Sequence, residues 1–469
     1  MADVLVIGAG PSGLAAAAAA VRRGAQVTVL DAAGEVGGQF WRHLPASRPS
    51  GRERVLHHDW AGFGQLVAAL PPDVRLDAQV WAIEREPGHL AVQVAPAGGG
   101  TTVTLRPDRL VLATGAHERV LPVPGWTLPG VYTAGAAQAF AKAERIALGR
   151  QVVDSGAGPF LLPVARSLTQ AGAAVAGIYE ASGPARLVRG WGSRPWQVLG
   201  SAHKLAELGG YATHLLADRI GYHPGHQVVE IHGGARVEAV TVARLDADWR
   251  PVAGTRQQLA CDAVCLAHGF TPRLELPIAA GCKLTPDRFV AVDDGQRTSV
   301  AGVLAAGELT AIGGADLALA SGEIAGWVAA GGAPEDAGLR RAQRRRTAAL
   351  QMAARIEAAH GIRPGWLDWP APDTVLCRCE QVSFGAVDAA LEATCADGLR
   401  SVKLTTRVGM GLCQGRVCGR NAEQYLLARR GRDSFADQAG TDRRPITVPI
   451  NLGDLARLAP AADDRKADS

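Results

Sequence analysis

The sequence predicts an α/β fold of two Rossmann-like dinucleotide-binding modules, the second inserted into the first, followed by a small α-helical or mixed domain built on cysteines. Three observations carry this. An apolar run enters Gly8-Ala9-Gly10-Pro11-Ser12-Gly13, a near copy follows at Gly156-Ala157-Gly158-Pro159-Phe160-Leu161, and Cys377, Cys379, Cys413 and Cys418 bunch towards the end. A chain of 469 residues suggests about three domains. Its 47% hydrophobic and 20% charged residues exclude wholesale disorder. The net charge of +4, with no Lys/Arg stripe interleaved with aromatics, gives no reason to expect nucleic acid as a partner.

The first module reads in order. Val4-Leu5-Val6-Ile7 is a continuous apolar run, as for a central parallel strand buried on both faces. After the glycine turn an Ala-rich helix runs to Arg22-Arg23-Gly24, and Val27-Thr28-Val29-Leu30 is the next strand, ending on Asp31. Gly8 allows the tight turn, Gly10 admits a pyrophosphate close to the backbone, and Gly13 lets helix pack on strand. Pro11 and Ser12 open a helix whose N-terminus faces phosphate charge. Asp31 stands where a carboxylate accepts hydrogen bonds from a ribose.

Three later matches point to FAD. Gly37-Gly38-Gln39 follows Asp31, where two-dinucleotide flavoproteins bring backbone against the flavin side. Leu110-Val111-Leu112 runs into Ala113-Thr114-Gly115, and Val303-Leu304-Ala305-Ala306 runs into Gly307-Glu308, with Glu308 where an acid usually meets the ribityl chain. The expected FAD domain is therefore discontinuous, 1–145 with 285–332.

The inserted module, 146–284, repeats the register: Gly156 to Glu180 spans 24 positions against 23 from Gly8 to Asp31. Leu161 replaces the third glycine, and a leucine there is expected to push helix from strand and crowd the turn. Three outcomes stay open: NAD(P), another nucleotide such as ATP, or an empty structural domain. A helical, proline-marked linker at 333–373 carries Arg340, Arg341, Arg344, Arg345 and Arg346, and without aromatics it reads as a solvated connector.

In the 374–432 domain, Cys377-Arg378-Cys379 can direct two thiolates at one metal atom. Thirty-three residues separate it from the Cys413…Cys418 loop, which Gly409, Gly411, Gly415 and Gly419 surround. Small residues let backbone N–H groups reach bridging sulfides. Residues 377–430 hold eight Lys/Arg and five Asp/Glu, a positive surplus suited to an anionic cluster. A [2Fe-2S] cluster is the preferred reading, with zinc or unligated thiols as alternatives. No cysteine precedes Cys261, so a flavin-linked disulfide relay is not expected, and His117 and His268 are given no catalytic role. With no targeting segment and no apolar run of membrane length, a soluble cytoplasmic protein without a membrane span is expected.

Ala113-Thr114-Gly115-Ala116-His117-Glu118-Arg119 and Pro124-Gly125-Trp126-Thr127-Leu128-Pro129-Gly130-Val131 resemble the FAD-carrying α-type subunits of bacterial multi-subunit amine and amino-acid dehydrogenases. Gly156 to Pro163 is similar to their second nucleotide motif, which makes Leu161 a trait of the family. The four cysteines resemble a bacterioferritin-associated-ferredoxin-like domain. The resemblance implies that the chain is one subunit of an FAD-dependent oxidoreductase for opine-, proline-, hydroxyproline- or glycine-type substrates, and it adds Val80 to the FAD-contacting positions. It also implies a hetero-oligomer with a β-type FAD-dependent amine-oxidising subunit, joined by a small ferredoxin-like one. The 433–469 tail, with Arg443-Arg444-Pro445-Ile446-Thr447-Val448-Pro449-Ile450, is expected to lie along a partner. The rival readings are an autonomous NAD(P)H-dependent ferredoxin-reductase-like protein and a cofactor-bearing scaffold with little turnover.

Overall fold

A computed structural model describes residues 3–456 apart from 46, 49, 50, 97, 200, 201, 436–443 and 445. The chain divides into two compact units. Met1–Ala116, Pro272–Thr347 and Asp442–Ser469 form the first, and His117–Thr271 with Ala348–Thr441 the second.

The first unit is built on a parallel sheet in the order Val303–Ala305, Arg109–Leu112, Asp3–Ile7, Gln26–Leu30, Asp73–Arg75. Val4 and Val6 are fully buried, as a central strand of such a sheet requires. The strand order reverses between Asp3–Ile7 and Arg109–Leu112, and the crevice at the carboxyl ends there is where such folds place ligands. The helix Pro11–Arg22 is Ala-rich for a steric reason. Helix Gly314–Ala329 crosses it so closely that a Cβ at Gly326 would stand 1.9 Å from the Ala16 carbonyl oxygen. Only methyl-sized side chains fit between the two.

The described part of the tail packs on its own unit. Ile446, Val448, Ile450 and Leu455 cover Trp81, Ala82 and Ala95, and the Thr447 N–H and hydroxyl both donate to the Trp81 carbonyl, at 2.7 and 2.8 Å. Burying an indole in this way satisfies the apolar residues of the segment internally. Arg443 and Pro445 lie outside the described residues.

The second unit has a parallel sheet in the order Tyr222–Pro224, Ala174–Glu180, Gln151–Gly156, Ala263–Ala267, Val131–Thr133. Because Val131–Thr133 pairs with Ala263–Ala267, the passage between modules falls at residue 116 and not near 145. The linker is also more than a connector. Helix Arg340–His360 is followed by a short 3₁₀ turn, Pro364–Asp368, and both Trp366 and Trp369 are buried. Trp369 donates its indole N–H to the Trp249 carbonyl at 2.8 Å. These indoles join the core of the second module to that of the cysteine domain, which adds Leu376, Phe384, Val402 and Leu426. The cysteine domain itself is the hairpin Val375–Cys377/Val382–Ser383 and the helices Phe384–Thr394, Leu399–Thr406 and Gly419–Arg430.

Candidate functional site

The glycine turn of the first unit is closely packed at some positions and open at others. Gly13 has no room for a Cβ, which would sit 1.7 Å from the Gly8 carbonyl oxygen, so the helix can close onto the turn. Gly10 is different: the only atom near its missing Cβ is Gly38 Cα at 3.8 Å, leaving backbone open to a ligand. Gly38 completes that wall at φ +61°, where a Cβ would approach Gly10 Cα to 2.8 Å. Asp31 is fixed by accepting from the Ala9 N–H at 2.5 Å and the Ala33 N–H at 2.8 Å, and it stays partly exposed. Pro11 is the first helical residue.

Ala113 ends its strand by donating to the Ile7 carbonyl at 2.9 Å, and the Gly115 carbonyl accepts from the Arg273 N–H at 3.0 Å. Gly307 turns against the glycine loop: a Cβ there would meet Ser12 Cβ at 2.9 Å. Two buried hydroxyls of this crevice, Ser12 Oγ and Thr114 Oγ1, have no hydrogen-bond partner among the described residues. Buried polar atoms are normally satisfied, so a polar ligand belongs beside them, and a dinucleotide fits. Burial pushes the Glu308 carboxyl up to about 7, opposed by a hydrogen bond from the Gly314 backbone. Two expected positions differ. Gln39 is exposed and accepts from Arg42 at 3.2 Å, and Val80 buries its side chain in the core, leaving only backbone for a ligand.

The four clustered thiols come together as two pairs, each taking one cysteine from either motif. Cys377 and Cys418 are buried and share a hydrogen bond, while Cys379 and Cys413 pair at the more exposed edge. The hydrogen bond from Cys418, with help from the Gly409 N–H at 3.5 Å, pulls Cys377 down to about 6, and it pushes Cys418 well up. Among the described residues, no three His, Cys, Asp or Glu side chains converge as a single-ion site. Two pairs suit a binuclear cluster, in which each iron takes two thiolates. Cys418 is also the N-cap of helix Gly419–Arg430. All eight cysteines are free, and Cys261, Cys265 and Cys282 are buried core residues.

His117, given no catalytic role from the sequence, has a structural one whose partner the sequence did not reveal. Its Nε2 is 2.8 Å from the Arg416 carbonyl in the thiol loop, a bond that requires the Nε2–H form. Arg119 donates to Asn421 at 3.1 Å and to Gln424 at 2.7 Å, and Asn421 donates to the Val120 carbonyl at 2.7 Å. The signal was the run of polar residues immediately after the Ala113-Thr114-Gly115 turn. His268 is a buried scaffold residue, its pKa pushed down to about 3 by burial.

In the second module, Leu161 does not crowd the turn. It is fully buried among Ala134, Ala137, Val164 and Leu168, and Gly158 at φ +114° has nothing within 4 Å of a missing Cβ. The cost falls on the helix, which starts at Leu161, whereas the first begins at Pro11, the counterpart of Pro159.

The family model described as pyridine nucleotide-disulphide oxidoreductase matches residues 2–333. The chain belongs to this family of FAD-dependent oxidoreductases. A second model, the BFD-like [2Fe-2S] binding domain, matches residues 375–428. The chain is 33% identical to an opine oxidase subunit of Agrobacterium tumefaciens (strain Ach5), over 99% of this chain and 93% of that protein. It is 31% identical to the hydrogen cyanide synthase subunit HcnB of Pseudomonas protegens, over 91% and 92%. The α subunit of sarcosine oxidase from Corynebacterium sp. (strain P-1) is 29% identical over 97% of this chain but only 45% of its own length. The fold is shared with the L-proline dehydrogenase of P. horikoshii, with a TM-score of 0.64 at 20% identity over 97% of this chain and 79% of that one. Among the described residues no helix is long and apolar enough to cross a membrane.

Proposed function

We propose that this chain is the FAD- and [2Fe-2S]-carrying electron-transfer subunit of a multi-subunit amine or amino-acid dehydrogenase, working beside a β-type FAD-dependent subunit that oxidises the substrate. The observation that carries the reading is one chain holding both a dinucleotide crevice with unsatisfied buried hydroxyls and two cross-motif thiol pairs. Relatives named as subunits of opine oxidase, hydrogen cyanide synthase and sarcosine oxidase support the multi-subunit setting and an amine- or amino-acid-type substrate.

The chemistry such groups supply when bound is the conversion of a two-electron oxidation into one-electron transfer. The chain's own residues do the rest. The Gly8–Gly13 turn and the helix N-terminus at Pro11 hold the pyrophosphate. Asp31 would accept from the ribose, and the Gly38-Gln39 and Ala113-Thr114-Gly115 backbones would serve the flavin side. Glu308 holds a proton near neutrality and can donate it in a hydrogen bond to the ribityl chain from beside Gly307. Cys377, Cys379, Cys413 and Cys418 would hold the cluster, with Cys379 and Cys413 at its more exposed edge.

The test is Cys413→Ser in the assembled complex. Substrate should still bleach the flavin absorbance, while the cluster's electron paramagnetic resonance signal and the reduction of the external acceptor are lost. An unchanged acceptor rate would take the thiol set off the path.

A further inference from the structure

The two modules hold their acids in the same way, yet only the first leaves its acid accessible. In the first, Asp31 accepts from Ala9 in the glycine loop and remains partly exposed. In the second, Glu180 accepts from the Gly158 N–H and the Ser182 N–H, both at 2.9 Å, and is completely buried.

The cover is the last residue of the linker helix. His360 Nδ1 lies 3.1 Å from Glu180 Oε2. The indole N–H of Trp191, which can only donate, is 3.3 Å from His360 Nε2. Nε2 must therefore accept, which places the ring proton on Nδ1 and makes His360 the donor to Glu180. Tyr222 lies on the strand beside that of Glu180, paired at Ile178, and its hydroxyl is pushed up by burial and by this carboxylate. A carboxylate offers about four acceptor positions; the Gly158 N–H and His360 take both on Oε2, and the Ser182 N–H takes one on Oε1.

The helix end is clamped in this position. Arg186 donates to the Ala359 carbonyl at 3.1 Å and to the Gly361 carbonyl at 3.4 Å, and Arg355 donates to the Gly190 carbonyl at 3.3 Å. Gly190 permits the approach, since a Cβ there would come within 2.5 Å of Ala359 Cα.

A dinucleotide site of this type needs its acid free to accept from the adenosine ribose. We infer that His360 occupies that ribose position and so keeps adenosine dinucleotides, nicotinamide cofactors among them, out of the second module. The glycine turn is open, but the acid that would select a ribose is already spent on the chain itself. Electrons then have no nicotinamide entry at this module and must arrive from another donor. The inference is independent of the proposed electron-transfer role, because a scaffold subunit would carry the same block.

The test uses FAD-loaded protein, so that the first module is filled, and measures ADP-ribose and NADH binding by calorimetry. Wild type is expected to show no saturable binding up to about 1 mM, whereas His360→Ala binds at least about tenfold more tightly. The double variant carrying Glu180→Gln as well should lose that gain. Saturable wild-type binding that Glu180→Gln abolishes would overturn the inference, and so would a His360→Ala protein that binds no better than wild type. Should His360→Ala fail to fold by circular dichroism, Arg186→Ala frees the same helix end without emptying the buried position, and it is judged by the same outcomes.

Discussion

Glu308 offers a stability measurement that reports on the cofactor crevice without any cofactor present. It sits in the short turn Gly307–Leu309, where burial pushes its carboxyl from 4.5 up to about 7. The folded state therefore binds this proton more tightly than the unfolded state does. That contribution is fully present below about pH 4.5 and is lost as pH rises through 7. At about 1.4 kcal/mol per pKa unit, the loss between pH 5 and 8 is about 2–3 kcal/mol. Glu308→Gln keeps the shape and removes the titration. Urea unfolding of FAD-free wild type and variant at pH 5 and pH 8, followed by circular dichroism, isolates the term. The cofactor must be stripped first because a ligand bound only to the folded state adds its own stabilisation. Wild type should lose about 2–3 kcal/mol relative to Glu308→Gln between the two pH values. Parallel losses in the two proteins would show that Glu308 is solvated and that the crevice is not the desolvated site described above.

Two further substitutions probe the packing around the two candidate sites. Gly326→Ala places a methyl 1.9 Å from the Ala16 carbonyl oxygen. It should cost about 1–3 kcal/mol or more through forced separation of the helices, read as a lower melting temperature together with weaker FAD retention. Asn421→Ala leaves the Val120 carbonyl and Arg119 short of a partner in a buried place. It should cost about 1–3 kcal/mol and raise amide exchange in helix Gly419–Arg430 and the thiol loop.

The parts of the fold legible in the sequence were those whose cause is local. Gly8 and Gly13 announce themselves because a positive-φ turn and a helix-to-turn contact exclude a side chain within a few residues, while Gly10 is left open. The four cysteines were legible because thiolates at CxC and CxxxxC spacing have few other uses. Pairing across the motifs, Cys377 with Cys418 and Cys379 with Cys413, was not legible, since it depends on how the helices between them fold back. Trp366 and Trp369 were hidden for a different reason. Prolines at 364, 370 and 372 mark a break in regular structure, and irregular backbone can be as deeply buried as a helix when its indoles find carbonyl partners. Where the tail packs within the chain was not legible, because alternating Ile446, Val448 and Ile450 show that one face will be covered, not by which surface.

The same limit explains why the reason for doubting the second nucleotide module had to move. From the sequence, the fault lay inside the motif, at Leu161, because the motif is where a local reading can look. Leu161 turned out to be harmless: it packs away from the turn, and the helix gives up its first residues to let it do so. The decisive residue is His360, separated from Glu180 by 180 positions and carried there by a helix whose arginines drew attention only to its surface. A glycine fingerprint thus certifies the geometry of a turn, while ligand binding also requires that the acid at the end of the second strand keep an acceptor to spare. Asp31 keeps partial exposure, whereas Glu180 is fully buried and its Oε2 is taken by Gly158 and His360. Two near-identical turns in one chain can therefore have opposite fates, decided by a side chain that belongs to neither.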